Sequence, residues 1–528
     1  MIEKIWSLIT FRNVGILKCL IAFSGTVILL WEVALERAGR PEVDKKTRDT
    51  LLLILGLLAA LSWFNLFKFH FGFYINTWDF YHNYIGAKYS KELGRSRLYQ
   101  CTVVADMEQG FTYRNDERKI RNPNTNLLEK SDAALAHPGE CKSHFSQNRW
   151  DAFKQDLAWL RNRVTIADWQ DFQEDLGYNS TPVWGILGTL LSNTGPITLT
   201  QSFLLALIDP ILLIIMWIFI YRTFGWRVMC VGLLFWGANF LTWFFSIGGS
   251  FLRQDWLVLL IIGICLLRRE KTVWAGILIT YSALLRFFPA CVIIALVIKA
   301  VYKMVRERKF TLSAQHKRFF AGCLIGFIVL VTASTVIAGG VGVWSEFTTK
   351  IKTHMNTPLT NNIGLKAILS YDPKSTLGLM INTSLVDPSG PWMEKHREIF
   401  RHRLPIYIIV VLAFLILLTR AVKDEEDWVV ATLGLGLIPF LTDPSSYYSC
   451  FLIGFAFLSN RNKAYGAGLV AISAISCVVQ RIFFLYEEIY GSMAFVILTY
   501  IIWVTWSVGR TGPSHTARAS FKPASDKS

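Results

Sequence analysis

RQDWLVLLIIGICLLRREKTVWAGILITYSALLRFFPA, residues 253–290, decides the fold. Two apolar runs, 256–267 and 273–285, flank a turn carrying Arg268, Arg269 and Lys271, and a third run starts just past Pro289. Apolar helices joined by a short basic turn are the pattern of membrane spans connected on the cytoplasmic side. The runs are shorter than the roughly 20 residues of a bilayer crossing, so the interruption at Arg286 predicts helices that end inside the protein. Arg286 is the sharper signal. An arginine in an apolar span costs about 2.5–3.5 kcal/mol on insertion scales, so it should face a polar cavity or an anion. Snorkelling is the ordinary alternative, but Phe287, Phe288 and Pro289 follow it instead of polar interface residues.

The same pattern extends along the chain. Of its 528 residues, 53% are hydrophobic and only 17% charged, with 19 Trp and 37 Phe, the composition of an integral membrane protein. Further apolar segments lie at 14–33, 50–69, 199–221, 228–247, 290–302, 319–338, 404–419, 428–441, 447–458, 464–484 and 492–508. With the central pair they predict an all-α polytopic bundle of about thirteen transmembrane helices. Net charge is +16, with Lys and Arg gathered in short connections; the positive-inside rule explains this, and a nucleic-acid partner is not expected.

Arg268 to Lys271, the segment 303–318, Arg420 with Lys423, Arg461 with Lys463, and the tail after Arg510 all fall on one face, predicted to be cytoplasmic. Two long polar loops, 70–198 and 339–403, then lie outside. They separate an N-terminal helical region (1–69), a central one (199–338) and a C-terminal one (404–510), with a cytoplasmic disordered tail at 511–528. Lys4, Arg12 and Lys18 argue mildly against an outside N-terminus. The first apolar run has no small-residue cleavage site and reads as a retained span. The expected location is the plasma (inner) membrane, with the site facing the outside or periplasm.

Within the first outer loop, FGFYINTWDFYHNYIGAKYSKELGRSRLY (71–99) sets Asp79 and His82 among aromatics. Desolvation by Trp78, Phe80 and Tyr81 would suit Asp79 to general-base work; an N-cap for a helix from Phe80, or a solvated carboxylate, is the plainer reading. Tyr81, Tyr84, Ile85, Tyr89 and Leu93 recur at helical spacing and predict an amphipathic interfacial helix. A second such pattern runs over 150–176, with Trp159 and Trp169 for the headgroup level. Cys101 and Cys141 share this loop and are disulfide candidates.

Arg253 and Asp255 enter a span as a possible ion pair, and Gln254 between them can hydrogen-bond a sugar or phosphate. KIKTHMNTPLTNNIGLK (350–366) supplies Lys352, His354, Asn356, Thr360, Asn361, Asn362 and Lys366, donors suited to sugar hydroxyls and phosphate oxygens, or to Asx turns in a solvated loop. LTDPSSYYSC (441–450) places Asp443, Tyr447 and Tyr448 between two short spans, where tyrosines commonly serve as anchors. There is no Walker A loop, no HExxH, no zinc-spaced Cys/His cluster and no DxD, so no metal and no cofactor is expected.

Together these features resemble the GT-C superfamily of membrane glycosyltransferases, and more narrowly the family of polyprenyl-phosphate-mannose-dependent mannosyltransferases. Asp79 resembles that family's loop Asp. Residues 253–290 resemble its Gly-Gln span, basic turn, Ala-Gly and Lys-x-x-Pro run; TNNIGL (360–365) resembles an Asn-Gln-Ser-Leu stretch, and DPSSYYSCFLI (443–453) a Ser-Pro-x-Ser-Trp-x-His-His segment. Arg253 stands in place of the Gly, Arg286 in place of the Lys, and Tyr447 and Tyr448 occupy the His-rich region.

The resemblance implies inverting, metal-independent transfer of mannose or a similar sugar from a polyprenyl-phosphate donor to a lipid or glycan acceptor. Asp79 would be the catalytic base. Arg286, with Arg253 or Lys366, would bind the donor phosphate, which His354 would also contact. His82, Gln254, Asp255, Asn361, Asn362, Tyr447 and Tyr448 would contact substrate. A flippase for a lipid-linked saccharide is the alternative; it leaves Asp79 without a role. A structural subunit is a third class.

Overall fold

The computed structural model describes residues 6–111 and 118–511; the tail 512–528, expected to be disordered, lies outside the described residues. Among the described residues, six helices are long and apolar enough to cross a membrane: Phe11–Arg37, Leu199–Phe224, Ala314–Ile337, Gly390–Val422, Lys463–Ile482 and Tyr486–Thr511. Trp226–Ala238 and Phe240–Ile247, bent by 78°, make a seventh if counted as one span. The chain is a membrane-embedded helical protein. Other apolar segments lie on shorter helices: Lys45–Trp63, Asp255–Arg268, Thr272–Leu285, Ala290–Glu307, Asp427–Gly434 running on to Leu441, and the 3-10 helix Ser446–Asn460.

Close backbone approach joins the short helices to the long ones. A Cβ on Gly276 would lie 2.2 Å from the Phe319 carbonyl oxygen, and one on Gly322 2.2 Å from that of Val273, so Thr272–Leu285 and Ala314–Ile337 cross at a pair of glycines. At the end of Thr272–Leu285 the backbone turns extended at Arg286 (φ −144°, ψ 132°) before the next helix begins at Ala290. The interruption predicted at Arg286 is therefore a real helix end. Several basic connections pair internally: Lys463 with Glu32 (2.8 Å), Arg306 with Asp424 (2.9 Å), and Arg461 with Glu425.

The first long loop, 70–198, is a folded layer. It contains Leu98–Glu108, Gln147–Arg161, Ile166–Glu174 and Pro182–Ser192, and an antiparallel hairpin, Lys119–Asn122 with Leu127–Lys130, which an all-α reading did not include. Its centre is a buried carboxylate. Asp106 accepts from Arg118 Nη2 (2.6 Å) and Trp169 Nε1 (2.9 Å) and pairs with Arg161. A disulfide joins Cys101 to Cys141 across a Cα–Cα distance of 5.4 Å.

The helix expected around 81–93 forms, but it is buried and not interfacial. The chain is helical from Thr77 to Lys88, through a π-helical stretch at Phe80–Ile85, and after a turn at Tyr89 resumes at Ser90–Leu93. Tyr81, Tyr84, Ile85 and Tyr89 are completely buried. What looked like a polar face is satisfied inside the protein: Lys88 pairs with Asp156 (2.7 Å) and Glu92 with Arg149 (2.6 Å). Helical spacing of aromatics thus marked a core element, not a membrane surface. Trp169 is likewise buried, bonded to Asp106, and not at headgroup level.

The second long loop, 339–403, is fastened onto the first. Lys350 Nζ donates to the Pro123 carbonyl (2.8 Å) and to Asn126 Oδ1 (3.0 Å), and Arg121 pairs with Asp387 (3.1 Å). Burial, then the nearby Arg121, lowers Lys350 to about 8.

Candidate functional site

A cavity of about 1390 Å³ lies where the two long loops meet the helix ends. Asp79, His82, Arg253, Arg286, His354, Asn361, Asn362, Lys366, Tyr447 and Tyr448 all line it. Gln254 and Asp255 do not, although both are buried. Asp255 begins the helix Asp255–Arg268 and accepts from the Trp256 amide (2.7 Å), so the substrate contacts expected of these two residues have no place on the wall.

Asp79 is held from three sides. Asn76 caps its turn, accepting from the Asp79 amide (3.1 Å), so Asp79 is not itself the cap. Asn83 Nδ2 donates to Asp79 Oδ1 (2.7 Å) and the Phe251 amide to Oδ2 (3.0 Å), while Arg253 Nη1 stands 3.9 Å from Oδ1. A carboxylate oxygen accepts about two bonds, so each keeps capacity for a substrate hydroxyl. Asn83 is oriented in turn by Ser180 Oγ (2.9 Å), whose carbonyl accepts from Arg95 Nη1 (2.6 Å).

The Phe251 amide and Arg253 belong to a loop with an unusual start. Gly249 has φ +65°, and a Cβ there would fall 1.9 Å from the Tyr74 carbonyl oxygen, so only glycine fits. The Asn76 amide donates to the Gly249 carbonyl (2.9 Å), tying this loop to the turn that carries Asp79. The loop's other end is held by Asp209, which accepts from the amides of Arg253 (2.8 Å) and Gln254 (3.2 Å). Asp209 lies in the apolar run 199–221, and the sequence reading missed it. It carried the signal that marks Arg286, an ionisable group in an apolar span.

Tyr447 and Tyr448 hold the two arginines. Arg253 Nη2 donates to the Tyr447 hydroxyl (3.0 Å), and its guanidinium lies 5.1 Å from that ring's centre. Arg286 Nε donates to the Tyr448 hydroxyl (3.1 Å), and the two tyrosine rings lie 4.5 Å apart. Two planar cations are thereby fixed side by side on one wall, with donors left over for an anion.

Elsewhere on the cavity lining, burial and the neighbouring Lys350 lower His354 to about 4, so it is a neutral hydrogen-bonding group near pH 7, not a cation for phosphate. Asn362 Nδ2 donates to Asp443 Oδ2 (2.8 Å) across a β-bridge made by Ile363 with Pro444 (2.9 Å) and Ser446 with Asn361 (2.8 Å). Burial pushes Asp443 up to about 6 against the pull of Lys366. Lys366 Nζ donates to the Met355 carbonyl (3.3 Å) and lies over Phe400.

His82 is at the wall, yet its ring is committed to the protein: Nδ1 faces the Trp78 carbonyl (2.8 Å) and Nε2 the Phe172 carbonyl (2.9 Å) and Tyr99 hydroxyl (3.0 Å). Asp175 stands 3.6 Å from His82 Nε2 and accepts from Trp78 Nε1 (2.9 Å). Nothing in the local sequence marks Asp175, which ends an ordinary helix, Ile166–Glu174. Among the described residues, no group of three or more His, Cys, Asp or Glu could hold a metal ion. No protein-family model, no curated protein and no solved structure matches the chain.

Proposed function

We propose that the chain is a glycosyltransferase of the GT-C type, moving a sugar such as mannose from a polyprenyl-phosphate donor to a lipid or glycan acceptor, with inversion, at the outer face of the plasma membrane. The observation that carries this reading is the meeting of Asp79, Arg253 and Arg286 in one cavity, although 207 residues separate Asp79 from Arg286 in the chain. The short apolar helices would complete a bundle of about thirteen crossings. The Cys101–Cys141 disulfide supports an outer location for the first loop, since such bonds persist in oxidising compartments.

In this reading the acceptor hydroxyl donates to Asp79 and attacks the anomeric carbon. The bond from that carbon to the phosphate oxygen breaks, Asp79 takes the proton, and the polyprenyl phosphate leaves. Charge growing on the phosphate is met by Arg286 and Arg253, already ordered by the two tyrosines, so little reorganisation accompanies the step. Phe245, Phe287 and Phe288 on the same wall suit an isoprenoid chain and keep the site poor in water. The test is purified protein with synthetic polyprenyl-phosphate mannose, glucose or arabinofuranose and a membrane lipid extract, read by mass spectrometry. A donor-dependent glycolipid is expected; bound donor that is never consumed, with acceptor supplied, would oppose it.

A further inference from the structure

Trp78 is out of character with its surroundings. In a segment whose next twelve residues are almost all buried, it is 39% exposed, and it lines the cavity directly before Asp79. Its ring is nonetheless fixed, meeting Phe172 edge-on at 4.9 Å and donating Nε1–H to Asp175 (2.9 Å). Asp175 has 38% of its side chain exposed and also lines the cavity. Although burial alone would raise it, His82, the Leu176 amide and Trp78 hold this carboxyl below the usual range, so it is charged. Asn179, which also lines the cavity, donates Nδ2–H to the Leu176 carbonyl (3.2 Å), while its Oδ1 is buried and has no hydrogen-bond partner.

A fixed, part-exposed indole bonded to a part-exposed carboxylate, with an unpartnered amide oxygen in the same cavity, is complementary to a sugar ring, which offers C–H groups to the aromatic and O–H donors to the acceptors. It suits phosphate poorly, because Asp175 is negative. We infer that Trp78, Asp175 and Asn179 form a sugar-binding subsite next to Asp79, and that the acceptor is a glycan-bearing lipid, not a plain lipid alcohol. This rests on the glycosyltransfer reading for the word acceptor, but the subsite itself can be tested without turnover.

The experiment is calorimetric titration of octyl α-D-mannoside, octyl α-D-glucoside and octyl phosphate into the full chain in lipid nanodiscs free of sugar detergents. Trp78→Ala, Trp78→Phe and Asp175→Asn are compared with wild type, with thermal unfolding as the check on folding. An octyl glycoside should bind wild type, and Trp78→Ala and Asp175→Asn should each weaken it about tenfold or more. Trp78→Phe, which keeps the ring and loses the bond to Asp175, should fall between, and octyl phosphate should bind all four proteins alike. Wild-type glycoside binding untouched by either variant, no glycoside binding at all, or octyl phosphate binding that the same variants weaken would overturn the subsite. Glycoside binding that responds to the variants in a protein that transfers nothing would keep the subsite and remove the transferase.

Discussion

Gly249→Ala is expected to disable the site from outside it. Gly249 sits at φ +65°, a left-handed conformation that costs a residue with a Cβ about 1–2 kcal/mol. The new methyl would fall 1.9 Å from the Tyr74 carbonyl oxygen, inside any contact distance, so the loop must move. Movement strains two bonds, Asn76 amide to Gly249 carbonyl (2.9 Å) and Phe251 amide to Asp79 Oδ2 (3.0 Å). A bond to a charged acceptor contributes about 1.5–3 kcal/mol, so the whole effect is about 3–5 kcal/mol. The assay is thermal unfolding followed by tryptophan fluorescence, run beside sugar transfer. The melting temperature should drop by several degrees and transfer should fall at least tenfold. Gly249→Asn separates the causes: asparagine tolerates the left-handed backbone but carries the same Cβ, so a clash predicts that it fares no better than alanine. Wild-type melting and transfer in Gly249→Ala would refute the account of how Asp79 is held.

Arg286→Ala should raise the donor KM about 10- to 100-fold, the value of a lost charge-assisted contact, and Arg286→Lys should recover only part, because lysine cannot both bond Tyr448 and present a planar fork; equal donor KM in all three proteins would remove Arg286 from phosphate binding. His354, lowered to about 4, stays neutral in the folded protein while its unfolded counterpart takes a proton near 6.5, so stability should fall as pH drops from about 6.5 towards 4, by about 3 kcal/mol in all. His396, also lowered to about 4 by burial, adds a like loss, so chemical denaturation across that range should show a loss smaller by His354's share in His354→Gln than in wild type. The Cys101–Cys141 bridge closes 40 residues, worth about 4 kcal/mol on the loop-entropy account, and Cys101→Ser/Cys141→Ser should lower the melting temperature of the unreduced protein to that of wild type in reductant.

The helices were legible because lipid-facing and core-facing residues alike must be apolar, which hydropathy reads directly. Burial of 77–93 was not. An amphipathic helix and a core helix with internal ion pairs share one pattern, and the pairing of Lys88 with Asp156 is made by a residue 68 positions on. Arg253, Arg286 and the two tyrosines were visible as ionisable or polar groups at the ends of apolar runs, and the structure brings them together. Gln254 and Asp255 carried the same signal and are buried off the cavity lining, Asp255 beside the charge of Arg286, because a helix start turns successive side chains in different directions. Asp175 has no local mark: its place depends on Trp78 and His82, which reach it from nearly a hundred residues away.

The most direct measurement compares wild type with Asp79→Asn, which keeps the shape and removes the base, in the transfer assay with polyprenyl-phosphate mannose, alongside donor binding. The account predicts product from wild type, none or less than a hundredth from Asp79→Asn, and equal donor binding by both. Product from Asp79→Asn at the wild-type rate would contradict it.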